Sequence, residues 1–457
     1  MLDLSRHIHF VGIGGAGMSP LARVVRDMGH RVTGSDQLRS AATAGLEATG
    51  VAVQYDHEPN LCRTADLLVH SSAVRPDNPE RVYAQHEGIP VVRRAELLGD
   101  LMRGLRSIGV AGTHGKTTTS SLLAHLLRAA GRAPLAIIGG TPAGDETHGT
   151  SPGGSLLVVE ADEYDRSFLS MYPTIAVITN IDTDHLDCYR DLDDIKGAFT
   201  RYAESVPFYG AAFVCIDDAG VRSIVDTIAA PVVTYGLDER ADYRIAEVAY
   251  ERGTARFTLT RRTALLGTVE IPMAGLHNVR NATAAAAVAA EMGVAFETIR
   301  SGLASFPGVK RRFELRGEVR GVRVYEDYAH HPREIAATLD DAARRGFART
   351  IVVFQPHLYS RTRAFMEEFS QSLAPADTVV VTGIYRSREA IDPTVDAADM
   401  VRRLRAAGHA DARYVENKDD VAGMLATELR SGDAVLLTGA GDIGEIVTPL
   451  LERIADG

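Results

Sequence analysis

A chain of 457 residues has room for about three domains of ordinary size, and 45% hydrophobic against 24% charged residues is a globular balance. A net charge of −11, from 49 basic and 60 acidic side chains, argues against a broad nucleic-acid surface. Cys62, Cys188 and Cys215 make no disulfide framework, no run of about 18 apolar residues spans a bilayer, and the first residues lack a leader pattern, so a cytoplasmic protein without membrane insertion is expected.

The N-terminal stretch reads as strand, turn, helix and strand. His7–Val11 is a short apolar run, a glycine cluster turns it, and Met18–Met28 has helical spacing that Gly29 ends. Arg31–Gly34 is the next strand and runs into Ser35 and Asp36. Strands at Leu67–His70 and Pro90–Val92, alternating with helical stretches, predict a parallel α/β layer. Gly12-Ile13-Gly14-Gly15-Ala16-Gly17 satisfies G-x-G-x-x-G, and Asp36 stands near the spacing of an acid that bonds a ribose hydroxyl. Such glycines let the backbone approach a pyrophosphate lying on the helix N-terminus. NAD and UDP both carry that unit, so this loop alone leaves a dehydrogenase open.

Next, Arg106–Ala111 reads as a strand leading into Gly112-Thr113-His114-Gly115-Lys116-Thr117-Thr118 and a helix from Lys116 to Ala130. The long G-x-x-x-x-G-K-[ST] form fails, because Val110 stands where its first glycine belongs, and the loop is the shorter G-x-x-G-K-T. The chemistry still fits a triphosphate: backbone amides cradle phosphate, Lys116 reaches the terminal phosphates and the Thr117 hydroxyl can hold Mg2+. Strands at Leu156–Glu160 and Ile175–Thr179 each end in metal-capable residues. The alanine-rich stretch 282–290 reads as a tightly packed helix. Beyond Pro307-Gly308, strands at Val322–Glu326, Thr350–Phe354, Thr378–Thr382 and Ala434–Thr438 predict another α/β layer. The expected fold is α/β in three domains: a Rossmann-like domain over 1–105, a P-loop ATPase-like domain over 106–308 and a Rossmann-like domain over 309–457. Two nucleotide-type loops weigh against a simple dehydrogenase, since hydride transfer needs no triphosphate cradle.

Six stretches in one order resemble the Mur ligase family, over nearly the whole chain. They are the loop Gly112 to Thr118, the acidic run Glu160 to Leu169, and Thr179-Asn180-Ile181-Asp182-Thr183-Asp184-His185. The others are Gly275-Leu276-His277-Asn278-Val279-Arg280-Asn281-Ala282, Arg311-Arg312-Phe313 with Asp327-Tyr328-Ala329-His330-His331-Pro332, and Gln355 to Arg363. The glycine opening and the Gln355 stretch look like the branch that adds L-alanine to UDP-N-acetylmuramate. The recycling branch, which attaches a tripeptide to the same sugar nucleotide, is the near alternative. A non-catalytic nucleotide-binding regulator is the alternative of another class.

The resemblance implies a reaction in two steps, with ATP first phosphorylating a carboxylate and an amine then displacing phosphate. It implies that Lys116 bridges the β- and γ-phosphates, that Thr117 and Glu160 hold one Mg2+, and that His185 holds a second, where Mn2+ would also be accepted. A hydrogen-bonded strand-end histidine is the other reading of His185, and a solvated turn that of Asp162 and Asp165. ATP contacts are expected from Gly112, Thr113, His114, Gly115, Lys116, Thr117, Thr118, His277, Asn278, Asn281, Arg312 and Asp327, completed by domain closure. Helix packing or a cap remains the competing reading of the two asparagines.

For UDP-N-acetylmuramate the candidates are Gly12, Gly14, Gly15, Ala16, Gly17, Met18, Ser35, Asp36, Ser71, Ser72 and His114, with a turn or cap as the alternative for the two serines. His330, His331, His357 and Arg361 are candidates for the L-alanine pocket. Leu358 stands where many relatives carry a second arginine, and the segment 384–389 departs from their Tyr-Pro-Ala form; one of its arginines, Arg386 or Arg388, is a candidate substitute. A monomer or a homodimer is expected.

Overall fold

The computed structural model describes residues 5–140, 155–184, 188–387 and 389–456. By contact density the chain divides into two compact units, one of Met1–Val248, Phe257–Glu270 and Arg280–Phe306, the other of Ala249–Arg256, Ile271–Val279 and Pro307–Gly457.

The first unit opens with a five-stranded sheet in the order Ala52–Gln54, Arg31–Ser35, His7–Val11, Leu67–His70, Val91–Arg93, every pair parallel. His7–Val11 is buried along its whole length, as a central strand covered on both faces must be. The chain order reverses between His7–Val11 and Leu67–His70, so a crevice opens beyond their carboxyl ends, at Gly12 and Ser71. A nine-stranded sheet follows in the order Ala264–Ile271, Thr254–Arg261, Tyr243–Glu251, Val232–Gly236, Ala211–Cys215, Ile175–Ile178, Arg106–Ala111, Leu156–Glu160, Leu135–Ile137. Arg106–Ala111 thus lies between the two strands whose ends carry Glu160 and Thr179, and pairs parallel with both. Of these nine strands, Arg106–Ala111, Leu156–Glu160 and Ile175–Ile178 were read from the sequence and the other six were not.

Helices cover these sheets because their apolar sides have nowhere else to go. In Leu276–Glu291 the residues Ala284 to Ala289, Val288 among them, are all buried, the tight packing that small side chains permit. The helix Arg94–Gly104 approaches the 3-10 stretch Tyr164–Ser170 so closely that a Cβ on Gly99 would stand 2.0 Å from the Ser170 carbonyl oxygen.

The second unit is built on a six-stranded sheet, Glu314–Val319, Val322–Asp327, Asp433–Thr438, Arg349–Phe354, Thr378–Thr382, Ala412–Val415. Only the first pair is antiparallel, with a register shift between Leu315 and Gly317. Each of the four strands read in this region from the sequence is present, extended by up to one residue at either end.

Candidate active site

The glycine loop is held by the end of the neighbouring strand. Gly12 and Ile13 both donate their N–H to the Ser35 carbonyl, at 2.8 and 3.0 Å. The Asp36 carboxylate accepts the Gly14 N–H at 2.8 Å, and a Cβ on Gly14 would lie 2.9 Å from it. Ser71 adjoins Gly12, its Oγ 3.5 Å from where a Cβ would start. The structure therefore gathers Gly12, Gly14, Ser35, Asp36 and Ser71 at one end of the sheet. Ser72 is exposed, and Met18 is buried beneath Gly15, in the core.

A polar cluster that the sequence reading missed lies behind this end. Glu80 is wholly buried and accepts hydrogen bonds on Oε1 from His9 Nε2 at 2.9 Å and Gln54 Nε2 at 3.3 Å, and on Oε2 from Ser35 Oγ at 2.5 Å and His57 Nδ1 at 2.9 Å. It sits in the first turn of the helix Pro79–His86, where an acid ordinarily just favours the helix dipole, so the sequence carries no signal of the cluster.

The second loop leaves Arg106–Ala111 and enters the helix Lys116–Ala129 through Gly115, in the left-handed region at φ 82°. Gly112 is equally confined, its Cβ position 1.9 Å from Thr179 Oγ1. Thr179 and Asn180 brace the loop: Thr179 Oγ1 donates to the His114 carbonyl at 2.6 Å, Asn180 Nδ2 to the same oxygen at 2.9 Å, and the His114 N–H returns to Asn180 Oδ1 at 2.8 Å. Asn281 packs against Gly115, 2.6 Å from the position of a Cβ. Asn278 turns back to donate to the Ala274 carbonyl at 2.8 Å, and His277 is exposed.

Lys116 Nζ donates to the carbonyls of Gly112 and Thr113, at 2.8 and 3.3 Å, and to Glu163 Oε2 at 2.7 Å. Burial works against the ammonium charge, but the charges of Glu163, Asp162 and Glu160 overcome it and raise its pKa above the ordinary lysine value. Thr117 Oγ1 donates to Glu160 Oε1 at 2.9 Å, and the other oxygen of Glu160 accepts the Gly139 N–H at 2.8 Å. Adjacent oxygens on an octahedral Mg2+ with bonds near 2.0–2.1 Å stand about 2.9 Å apart. Thr117 and Glu160 therefore fit a shared cation. His185, the proposed ligand of a second ion, and Arg388 lie outside the described residues.

The second unit carries its own cluster. Asp327 is buried and accepts the N–H groups of Phe313 and Ala329, both at 2.7 Å; burial pushes its carboxyl up to about 6, although the Arg312 charge and these bonds pull the other way. Arg312 lies over the Tyr328 ring, 5.3 Å from its centroid. The His330 and His357 rings are 6.0 Å apart, His357 stacks on Tyr385 at 5.8 Å, and Arg361 Nη1 reaches His357 Nδ1 at 3.3 Å. His331 instead caps the helix Pro332–Arg344 and packs edge-on to Phe365. A parallel bridge between His357 and Tyr385 makes Arg386 follow Tyr385 as Leu358 follows His357. Arg386 and Tyr385 line a cavity of about 450 Å³ with Gln355, Glu416, Lys418 and Asp442.

Three family models match in sequence: "Mur ligase family, catalytic domain" over residues 7–106, "Mur ligase middle domain" over 110–289 and "Mur ligase, glutamate ligase domain" over 311–441. The UDP-N-acetylmuramate–L-alanine ligase of Salinibacter ruber is 48% identical, the match covering 98% of this chain and 95% of that one. Among solved structures, the UDP-N-acetylmuramate-alanine ligase of Thermotoga maritima is similar at a TM-score of 0.83, with 29% identity and 99% of each chain covered. The murein peptide ligase of Psychrobacter arcticus is similar at 0.71, with 26% identity and 99% of each chain covered. Together with the three sheets and the braced G-x-x-G-K-T loop, these matches show that the chain belongs to the Mur ligase family.

Proposed function

We propose that this chain is an ATP-dependent ligase that joins L-alanine to the lactyl carboxylate of UDP-N-acetylmuramate, in peptidoglycan precursor synthesis in the cytoplasm. The observation that carries the reading is the built cradle around Lys116, with Thr117 and Glu160 beside it, in a chain 48% identical to a relative named for this reaction. The tripeptide-adding alternative has the weaker likeness, a TM-score of 0.71 against 0.83, and the regulatory alternative has no observation in its favour. The domain limits proposed are 1–105 for the sugar nucleotide, 106–308 for ATP and 309–457 for the amino acid.

A carboxylate does not react with an amine directly, because its oxygen is a poor leaving group. One carboxylate oxygen attacks the γ-phosphorus of ATP, the bond to the β,γ-bridging oxygen breaks, and ADP departs. The amine of L-alanine then attacks the acyl carbon; phosphate leaves, carrying the oxygen that bridged carbon and phosphorus, and the amine loses a proton.

In this reading the protein positions groups and neutralises charge. The N–H groups at the start of the helix Lys116–Ala129 face the phosphates, and Lys116 offsets the charge that spreads over the moving phosphoryl group. Thr117 and Glu160 would hold Mg2+, or Mn2+, which supplies further neutralisation of the phosphate oxygens. Gly12, Gly14, Gly15, Ala16, Gly17, Ser35, Asp36 and Ser71 are proposed for the sugar nucleotide. His330, His357 and Arg361 are proposed for the alanine carboxylate side, where a guanidinium pairs with two oxygens at once.

The test is an ADP-release assay with each substrate omitted in turn, and with the tripeptide in place of L-alanine. Release that needs UDP-N-acetylmuramate and L-alanine together supports the reading. Release that needs the tripeptide instead moves the chain to the recycling reaction.

A further inference from the structure

Lys116 has three N–H donors, and three acceptors of the chain already take them: two carbonyls of its own loop and Glu163. A nucleotide entering this cradle must break at least one of those bonds. The loop carbonyls are fixed by the backbone, whereas the Glu163 carboxylate is an anion competing for the same ammonium as the incoming phosphates.

The placement of Glu163 is built rather than incidental. Its carbonyl accepts the Tyr189 hydroxyl at 2.7 Å and the Arg166 N–H at 3.0 Å. The turn that follows holds two non-glycine residues in the left-handed region, Asp165 at φ 53° and Arg166 at φ 54°. Such strain persists only where the surroundings hold it. Here Arg166 is anchored to Asp194 at 2.5 Å and over the Tyr189 ring at 4.7 Å. The Glu163 side chain is 3% exposed and that of Lys116 13%, so the pair is poorly screened by water.

We infer that Glu163 is a positioning residue that holds the Lys116 ammonium in the cradle and yields it to the phosphates of the nucleotide. Between turnovers it keeps a buried cation paired and in place. When the nucleotide binds, one charge-assisted bond is exchanged for another, so affinity is lower than the cradle could provide. When ADP leaves, Glu163 takes the ammonium back and thereby favours release. This inference rests on the reading of the loop as an ATP cradle.

Calorimetry on the full chain with Mg-ADP and Mg-ATP, without sugar nucleotide, tests it. Glu163→Gln keeps the shape and removes the competing charge, and should bind Mg-ADP about tenfold more tightly than wild type. KM for ATP should fall while kcat falls too, as ADP release slows, and the unliganded variant should melt lower while gaining more from Mg-ADP. Glu163→Asp, which retains the charge, should keep wild-type affinity to within about threefold.

In a Lys116→Ala background the effect of Glu163→Gln should shrink to less than about twofold, because the exchange runs through the lysine. Unchanged or weaker binding by Glu163→Gln in a folded protein overturns the inference and leaves the ATP reading standing. The same tightening without Lys116 also overturns it, since the carboxylate then acts by repulsion alone. Failure of the wild type to bind either nucleotide overturns both.

Discussion

The carboxamide of Asn281 occupies the space in which a side chain at Gly115 would begin, 2.6 Å from the Cβ position. Gly115 is also left-handed, at φ 82°, so two independent restrictions converge on the residue before Lys116. Gly115→Ala should therefore weaken Mg-ATP binding by about 1–3 kcal/mol, roughly five- to 150-fold, while the protein stays folded. Calorimetry checks this, and an unchanged affinity would mean that the loop does not need this conformation.

Gly99 gives a prediction whose sign is opposite to the usual one. Alanine in place of glycine inside a helix ordinarily stabilises by about 0.5–1 kcal/mol. In the helix Arg94–Gly104 the added methyl would stand 2.0 Å from the Ser170 oxygen, which is backbone and cannot swing aside. Gly99→Ala should lower stability by about 1–3 kcal/mol in thermal or urea unfolding. A rise in Tm would show that the helix does not pack on that stretch.

Glu80 predicts a pH dependence. Burial pushes its carboxyl up, but hydrogen bonds from His9 and Ser35, the charge of His9 and the bond from His57 outweigh it, leaving the pKa below the ordinary 4.5. A carboxyl with a lowered pKa stabilises the fold fully above its unfolded value, and that contribution is lost as pH falls through the lower folded value. Glu80→Gln sets an amide N–H2 against donors and should cost about 2–4 kcal/mol at neutral pH. In urea unfolding the gap to wild type should narrow below pH of about 4.5. A gap that widens in acid would contradict the assignment of Glu80 as the charged centre of the cluster.

Thr117 and Glu160 should fail together. Thr117→Val removes one proposed oxygen ligand and Glu160→Gln weakens the other, so each should reduce kcat by about a hundredfold or more and shift half-saturation to higher Mg2+. The double variant should be little worse than either single one, because the two act as a unit. Independent, multiplying losses would show that they do not share a cation.

Much of the fold was legible because apolar runs ended at glycines and strand ends carried polar residues. His7–Val11, Leu67–His70, Arg106–Ala111, Leu156–Glu160 and Thr378–Thr382 run over the residues that the sequence suggested. Leu135–Ile137, Ala211–Cys215 and Val232–Gly236 were passed over, and Tyr243–Glu251, Thr254–Arg261 and Ala264–Ile271 were not legible. Tyr243–Glu251 buries only Tyr243 and Ile245, and Ala264–Ile271 is exposed at its start, so neither offers a continuous apolar run. At the site, loop spacing singled out Lys116 and Thr117, and the family resemblance singled out Glu160. Their partners were hidden, because Glu163 lies 47 residues from Lys116 and Asn180 lies 66 from His114. Such pairings depend on strand order, which no local pattern encodes.

The central claim is that ATP energises the lactyl carboxylate by taking its oxygen onto phosphorus. UDP-N-acetylmuramate labelled with oxygen-18 in that carboxylate, turned over with ATP and L-alanine, tests this by mass analysis of the phosphate released. One labelled oxygen in each phosphate, with ADP formed in equal amount, is the expected result. Unlabelled phosphate alongside amide product would mean that the carboxylate is activated by some other route, and would contradict the role given to the cradle around Lys116.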